Sequence, residues 1–156
     1  MTSILLLAGT DRPENRENNT LSQQLANAET VANRISETVR ATISVLLPDS
    51  GDYDAISLDL HPTLSTLDRV EPDSELDSFD AVVTIPPAED SDGPLHPAVA
   101  ETLNHFMEMG KTCALCSETT FALRWMLSPD TPGLYKSEHI PSDENLYEHL
   151  ASQLNQ

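Results

Sequence analysis

The chain has 156 residues, enough for one domain (1–156) to bury a core without disulfide or metal staples. Eight Lys and Arg face 26 Asp and Glu, and a formal charge of -18 argues against nucleic acid phosphates or an anionic membrane surface as the main partner. No apolar run reaches the roughly 18 residues of a membrane span, and the N-terminus lacks a basic segment followed by an apolar one, so a cytoplasmic location is expected.

The acid is spread along the chain. ILLLAG, TISVLL, AVVTI and CALC interrupt it repeatedly, the pattern of a folded core under a solvated acidic skin rather than of a disordered tail. With only two Lys, Lys111 and Lys136, this balance suits a halophilic protein kept soluble in a salt-rich cytoplasm, with an acidic protein of an ordinary cell as the alternative.

Residues 3–8, SILLLA, form a continuous apolar run of strand length, as in a strand buried on both faces. From Thr20 the apolar positions Leu21, Leu25, Ala28, Ala32, Ile35 and Val39 recur at spacings of three and four, an amphipathic helix that Asn18 or Asn19 can cap. A second buried strand is predicted over Thr42–Leu47. Ile56, Leu58 and Leu60 alternate with polar residues, giving a weaker strand at a sheet edge, and the Pro-containing acidic stretch 61–79 reads as loop. Core strands follow at Ala81–Ile85 and Thr112–Cys116. Between them Leu95, Val99, Leu103 and Phe106 mark a helix face that stops at Gly110, with Lys111 near its negative end. A short helix holding Phe121, Trp125 and Met126, a strand around Leu134–Ile140, and a last helix with Leu146, Leu150 and Leu154 on one stripe, capped by Ser142, complete the chain.

Strands alternate with helices, and parallel strands need helical crossovers. The expected fold is therefore a three-layer α/β sandwich, an open, mostly parallel five-stranded sheet with helices on both faces, flavodoxin-like or Rossmann-like. Ligands in such sheets lie outside the carboxyl ends of the strands, near the point where strand order reverses. Attention narrows to the loops after Ala8, Ile85 and Cys116 and near His139.

The first loop, Gly9-Thr10-Asp11-Arg12, has neither GxGxxG nor GxxxxGK[ST], so a dinucleotide or P-loop phosphate site is not expected. Asp11, Glu14 and Glu17 beside Arg12 and Arg16, and Glu89, Asp90 and Asp92 in the later loop, would repel an anionic ligand, although charged loops are most often simply solvated.

Cys116 falls where an apolar strand ends and a helix is expected to begin, the turn from which a nucleophile projects above an α/β sheet. A helix N-terminus there would lower the thiol pKa and offer N–H donors to an oxyanion. Glu118 acts in the opposite direction unless it is protonated and donates to the sulfur. The alternative is a buried cysteine acting as a small hydrophobe, the expectation for Cys113. Cys113 and Cys116 lie three apart on one strand and point to opposite faces, so a disulfide between them is not expected. His61, His96, His105, His139 and His149 lack metal-like spacing, and no metal site is assigned. His139 is the nearest candidate base for Cys116, against the ordinary reading of a surface histidine. Glu101 reads as an exposed helical residue, with a carboxylate role in base or sugar chemistry as the alternative. Phe121 and Trp125 read as core packing.

The segments LLPDSG, LDLHPTLSTLD, FDAVVTIPP, LHPAVAETLNHFMEMGK and TCALCSETTFAL, within roughly residues 43–127, resemble the DJ-1/PfpI branch of the class I glutamine-amidotransferase-like proteins. The resemblance implies that Cys116 is an elbow cysteine poised by Glu14 or Glu17. It also implies a loop cluster of Thr10, Asp11, Arg12, Pro87, Ser117 and Thr119 around a small-molecule ligand, with hydrolytic, glyoxalase-like or stress-protective activity and no cofactor. Pro86-Pro87 stands where the family has a glycine pair, removing N–H donors, and Ser117 stands where its protease-like members have His. Gly9-Thr10-Asp11-Arg12 with Asn18 and Leu21 is also similar to the start of the flavodoxin-like NAD(P)H-dependent FMN reductases, which would imply FMN. Against that stand the loop acids and PAED where those proteins carry PEYN. A third similarity, to nucleoside deoxyribosyltransferases, would use Glu101, but its spacing to Gly110-Lys111 departs from their pattern. A non-catalytic binding or homodimerisation module of the same fold is the remaining alternative.

Overall fold

A strand that buries both of its faces must sit inside a sheet with layers above and below, and the first element does so. In the structure, a computed structural model describing residues 2–7, 20–46, 68–70, 78–85, 97–116, 134–137 and 144–154, β1 (Thr2–Leu7) leaves Ile4, Leu5, Leu6 and Leu7 wholly buried. Around it are α1 (Thr20–Thr38), β2 (Ala41–Leu46), β3 (Asp68–Val70), β4 (Ala81–Thr84), α2 (Pro97–Glu108), β5 (Thr112–Cys116), β6 (Leu134–Ser137) and α3 (Glu144–Leu154). The strands form one parallel sheet in the order β3-β2-β1-β4-β5-β6. That is the doubly wound order, two halves running outward from β1 and β4.

Strand alternation divides the core in two. Ile4, Leu6, Ile43, Val45, Ala81, Val83, Ile85 and Ala114 face Ala28, Val31, Ala32, Ile35 and Val39 of the α1 segment and Leu146, Tyr147 and Leu150 of α3. Leu5, Leu7, Leu46, Val82, Cys113 and Leu115 face Leu103 and Phe106 of α2. Each such buried side chain contributes roughly 1.5–3 kcal/mol by leaving water, which is why the apolar runs, more than local propensity, set the layers. Helices therefore cover both faces, as expected.

One expectation is corrected. The sheet has six strands among the described residues rather than five. The added edge strand, β3, lies within the stretch read as loop, while the alternating segment 56–60 lies outside the described residues. An edge strand needs only one backbone ladder, here Ser44, Val45 and Leu46 with Asp68, Arg69 and Val70, so it leaves no long apolar signature. Lys111 lies just past the end of α2, as expected, and its Nζ donates to the Phe79 carbonyl, tying the start of β5 to the residues that enter β4.

The helix stop at Gly110 is realised as a Schellman motif. The Lys111 N–H donates to Phe106 O and the Gly110 N–H to Met107 O, both at 3.1 Å, with Gly110 at φ 68°. At the same end of the sheet, the Thr2 hydroxyl donates to Leu154 O at 3.2 Å and the Ser3 N–H to Asp80 Oδ2 at 2.9 Å. No helix among the described residues is long and apolar enough to cross a membrane.

Candidate functional site

All six strands are parallel, so their carboxyl ends share one lip of the sheet. Strand order reverses between β1 and β4, and β1 is flanked by β2 and β4: Leu7 pairs with Leu46 on one side and with Thr84 on the other. The β1–β4 ladder continues one step past β4, where the Ile85 N–H donates to Leu7 O at 2.9 Å. Leu7 and Ile85 thus lie side by side at the carboxyl ends of the two strands between which the order reverses, which is where an open α/β sheet forms its crevice.

Cys116 stands beside this crevice as the last residue of β5. β5 borders β4 directly, with Val83 level with Ala114; continuing that register by two residues sets Cys116 level with Ile85. On its other side Cys116 pairs with Ser137, the last residue of β6. The strand boundary read from the sequence thus coincides with the backbone position. Thr84, a buried polar residue that sequence reasoning did not single out, reinforces the approach to this point. Its hydroxyl donates to Ala114 O at 3.4 Å, joining β4 to β5 two residues before Cys116. The signal was present as one hydroxyl inside the apolar string AVVTI.

Cys113 is a different kind of cysteine. It is free and fully buried, packs with Leu5, Val82, Leu103, Phe106 and Leu115, and its Sγ lies 3.5 Å from Lys111 O. Burial pushes its thiol pKa up to about 12, because a thiolate there would lose its hydration with nothing to replace it. At neutral pH it is an inert hydrophobe.

Glu101 is exposed on α2, the ordinary reading of that residue. His149, on α3, stacks on Tyr135 of β6 with ring centroids 4.7 Å apart and planes at 30°. His105 is half-buried on α2. No group of three or more His, Cys, Asp or Glu gathers into a metal-binding set among the described residues. The remaining candidates, Thr10, Asp11, Arg12, Glu14, Glu17, Pro87, Ser117, Glu118, Thr119 and His139, with Phe121 and Trp125, lie outside the described residues.

No protein-family model and no curated protein matches this sequence. Solved structures do. The Rapid Encystment Protein 24 kDa (REP24) of Francisella tularensis is similar with a TM-score of 0.54 at 12% identity, covering 99% of this chain and 76% of that one. An isoprenoid biosynthesis protein with an amidotransferase-like domain from Ehrlichia chaffeensis is similar with a TM-score of 0.55 at 8% identity, covering 99% of this chain and 95% of that one. At such identities the likeness is one of fold: this chain shares the α/β architecture of these two proteins.

Proposed function

We propose that the chain is a DJ-1/PfpI-like protein whose Cys116 acts as a nucleophile on small carbonyl, ester or amide compounds. The observation that carries this reading is the place of Cys116: the terminal residue of β5, one strand from the strand-order reversal, on a sheet of amidotransferase-like fold. Cys113, three residues earlier, is sealed in the core, so a reactive thiol on this strand is Cys116.

In an acyl transfer, the Cys116 thiol gives up its proton, to Glu14 in this reading, and the sulfur adds to the carbonyl carbon. The carbon–oxygen or carbon–nitrogen bond of the leaving group then breaks, and that group departs with the proton. Water hydrolyses the resulting thioester and restores the thiol. With an aldehyde, addition stops at a hemithioacetal. Glu118 is the second carboxylate in the reading, donating to the sulfur when protonated. Thr10, Asp11, Arg12, Pro87, Ser117 and Thr119 would line the ligand. β1 stands two strands from β5, about 9.5 Å across the sheet, and the 12 residues 8–19 are long enough to bring Glu14 over that distance. The ligand is a small molecule, neutral or cationic at its reacting end given the loop acids, and the working location is a salt-rich cytosol. Neither nucleic acid nor membrane is a partner, and self-pairing is the assembly to test.

The experiment is turnover of small dicarbonyls and activated esters by the purified protein. The reading requires activity that Cys116→Ser abolishes and Glu14→Gln reduces. Activity surviving Cys116→Ser would sink it, and absence of turnover on every such compound would leave a non-catalytic binding or dimerisation module, the outcome that Pro86-Pro87 favours.

A second reading has one observation in its favour: Gly9-Thr10-Asp11-Arg12 follows β1 at the strand-order reversal, where FMN reductases hold the flavin phosphate. It requires a yellow protein, or visible absorption changes on adding FMN. The loop acids oppose an anionic phosphate, so the cysteine reading is preferred.

A further inference from the structure

We draw no further inference here: the strongest candidate, the side-chain pair of Tyr135 on edge strand β6 and His149 on α3, whose buried Nε2 has no hydrogen-bond partner among the described residues, carries nothing because nothing in the structure shows what covers that nitrogen.

Discussion

Cys116 and Ser137 are register partners at the ends of β5 and β6, so the two strands stop at one level of the carboxyl lip. Cys113 is paired with Leu134 at the other end of the same ladder and is buried. Two cysteines three residues apart are thus placed differently, and the difference is measurable. Alkylation of the native protein across pH is expected to modify Cys116, while Cys113 reacts only after unfolding. Mass spectrometry of the peptide carrying both sites assigns the adduct. Cys116→Ser should abolish native labelling and Cys113→Ala should leave it intact. A Cys116 that also waits for denaturant would end its candidacy as a nucleophile.

The buried thiol makes alkaline stability a second observable. In the unfolded chain Cys113 ionises near its ordinary 9.0, whereas in the folded chain burial holds the proton until about 12. Between these values the unfolded state binds fewer protons, so stability is intact below about pH 9 and falls as pH rises, by up to ~1.4 kcal/mol per pH unit. Tyrosines and lysines titrate in the same range, so the measurement is the difference between wild type and Cys113→Ala in urea unfolding at pH 8 and pH 10. The variant should lose part of the alkaline slope. Identical slopes would mean that the sulfur is more hydrated in solution than its packing indicates.

What could be read in advance follows from where apolar side chains carry the fold. Ile4 to Leu7, Ala81 to Ile85 and Thr112 to Leu115 are buried on both faces, and such strands announce themselves as unbroken apolar runs. Ala28, Ala32, Ile35 and Val39 declare the α1 stripe equally well. β3 was illegible because Asp68-Arg69-Val70 is held by a backbone ladder, and hydrogen bonds between main chains leave little trace in side-chain pattern. At the site, the end of β5 at Cys116 was legible as the close of an apolar run. The Thr84 hydroxyl bond was not, since a partner 30 residues away depends on register that a single sequence does not specify.

A third prediction concerns the seam between α1 and α3. Arg34 donates to Glu144 Oε1 at 2.7 Å, and its guanidinium lies 4.8 Å from the Tyr147 ring centroid. The carboxylate raises the Arg34 pKa further, so this cation does not titrate in any accessible range. Both members are solvent-facing, with 35% and 77% of their side chains exposed, which limits the contribution of the ion pair. Arg34→Ala removes pair and ring contact together, whereas Glu144→Gln removes only the charge. Thermal unfolding should show a Tm decrease of roughly 1–3 °C for the first and less for the second. Equal effects would assign no role to Tyr147.

Net charge supplies a fourth. At -18 over 156 residues the folded chain repels itself, and that repulsion is screened within about 10 Å at 0.1 M salt and about 3 Å at 1 M. The Tm is expected to climb steadily from 0.05 M to 2 M KCl by more than ~5 °C, with most of the low-salt rise reproduced by lowering pH toward the isoelectric point near 4.3, where carboxylates neutralise. A Tm indifferent to KCl over that range would remove the argument for a salt-rich cytosol.

The fifth follows from Gly110, which closes α2 and hands the chain to β5. Its φ of 68° lies in the left-handed region, and an added Cβ would meet nothing within 4 Å. Substitution cost is therefore a backbone cost, free of steric clash. Gly110→Ala should destabilise by about 1 kcal/mol, seen as a Tm decrease of roughly 2–4 °C, and Gly110→Asn by less, because asparagine tolerates this conformation. Cys116 lies six positions after Gly110, and β5, which it ends, is held by ladders to both β4 and β6. The alanine variant should thus keep the wild-type pH profile of Cys116 labelling while losing stability. If labelling changed with Tm, the carboxyl lip would depend on the α2 terminus, and the reactivity of Cys116 would have to be assigned to the mobility of β5 rather than to its place beside the strand-order reversal.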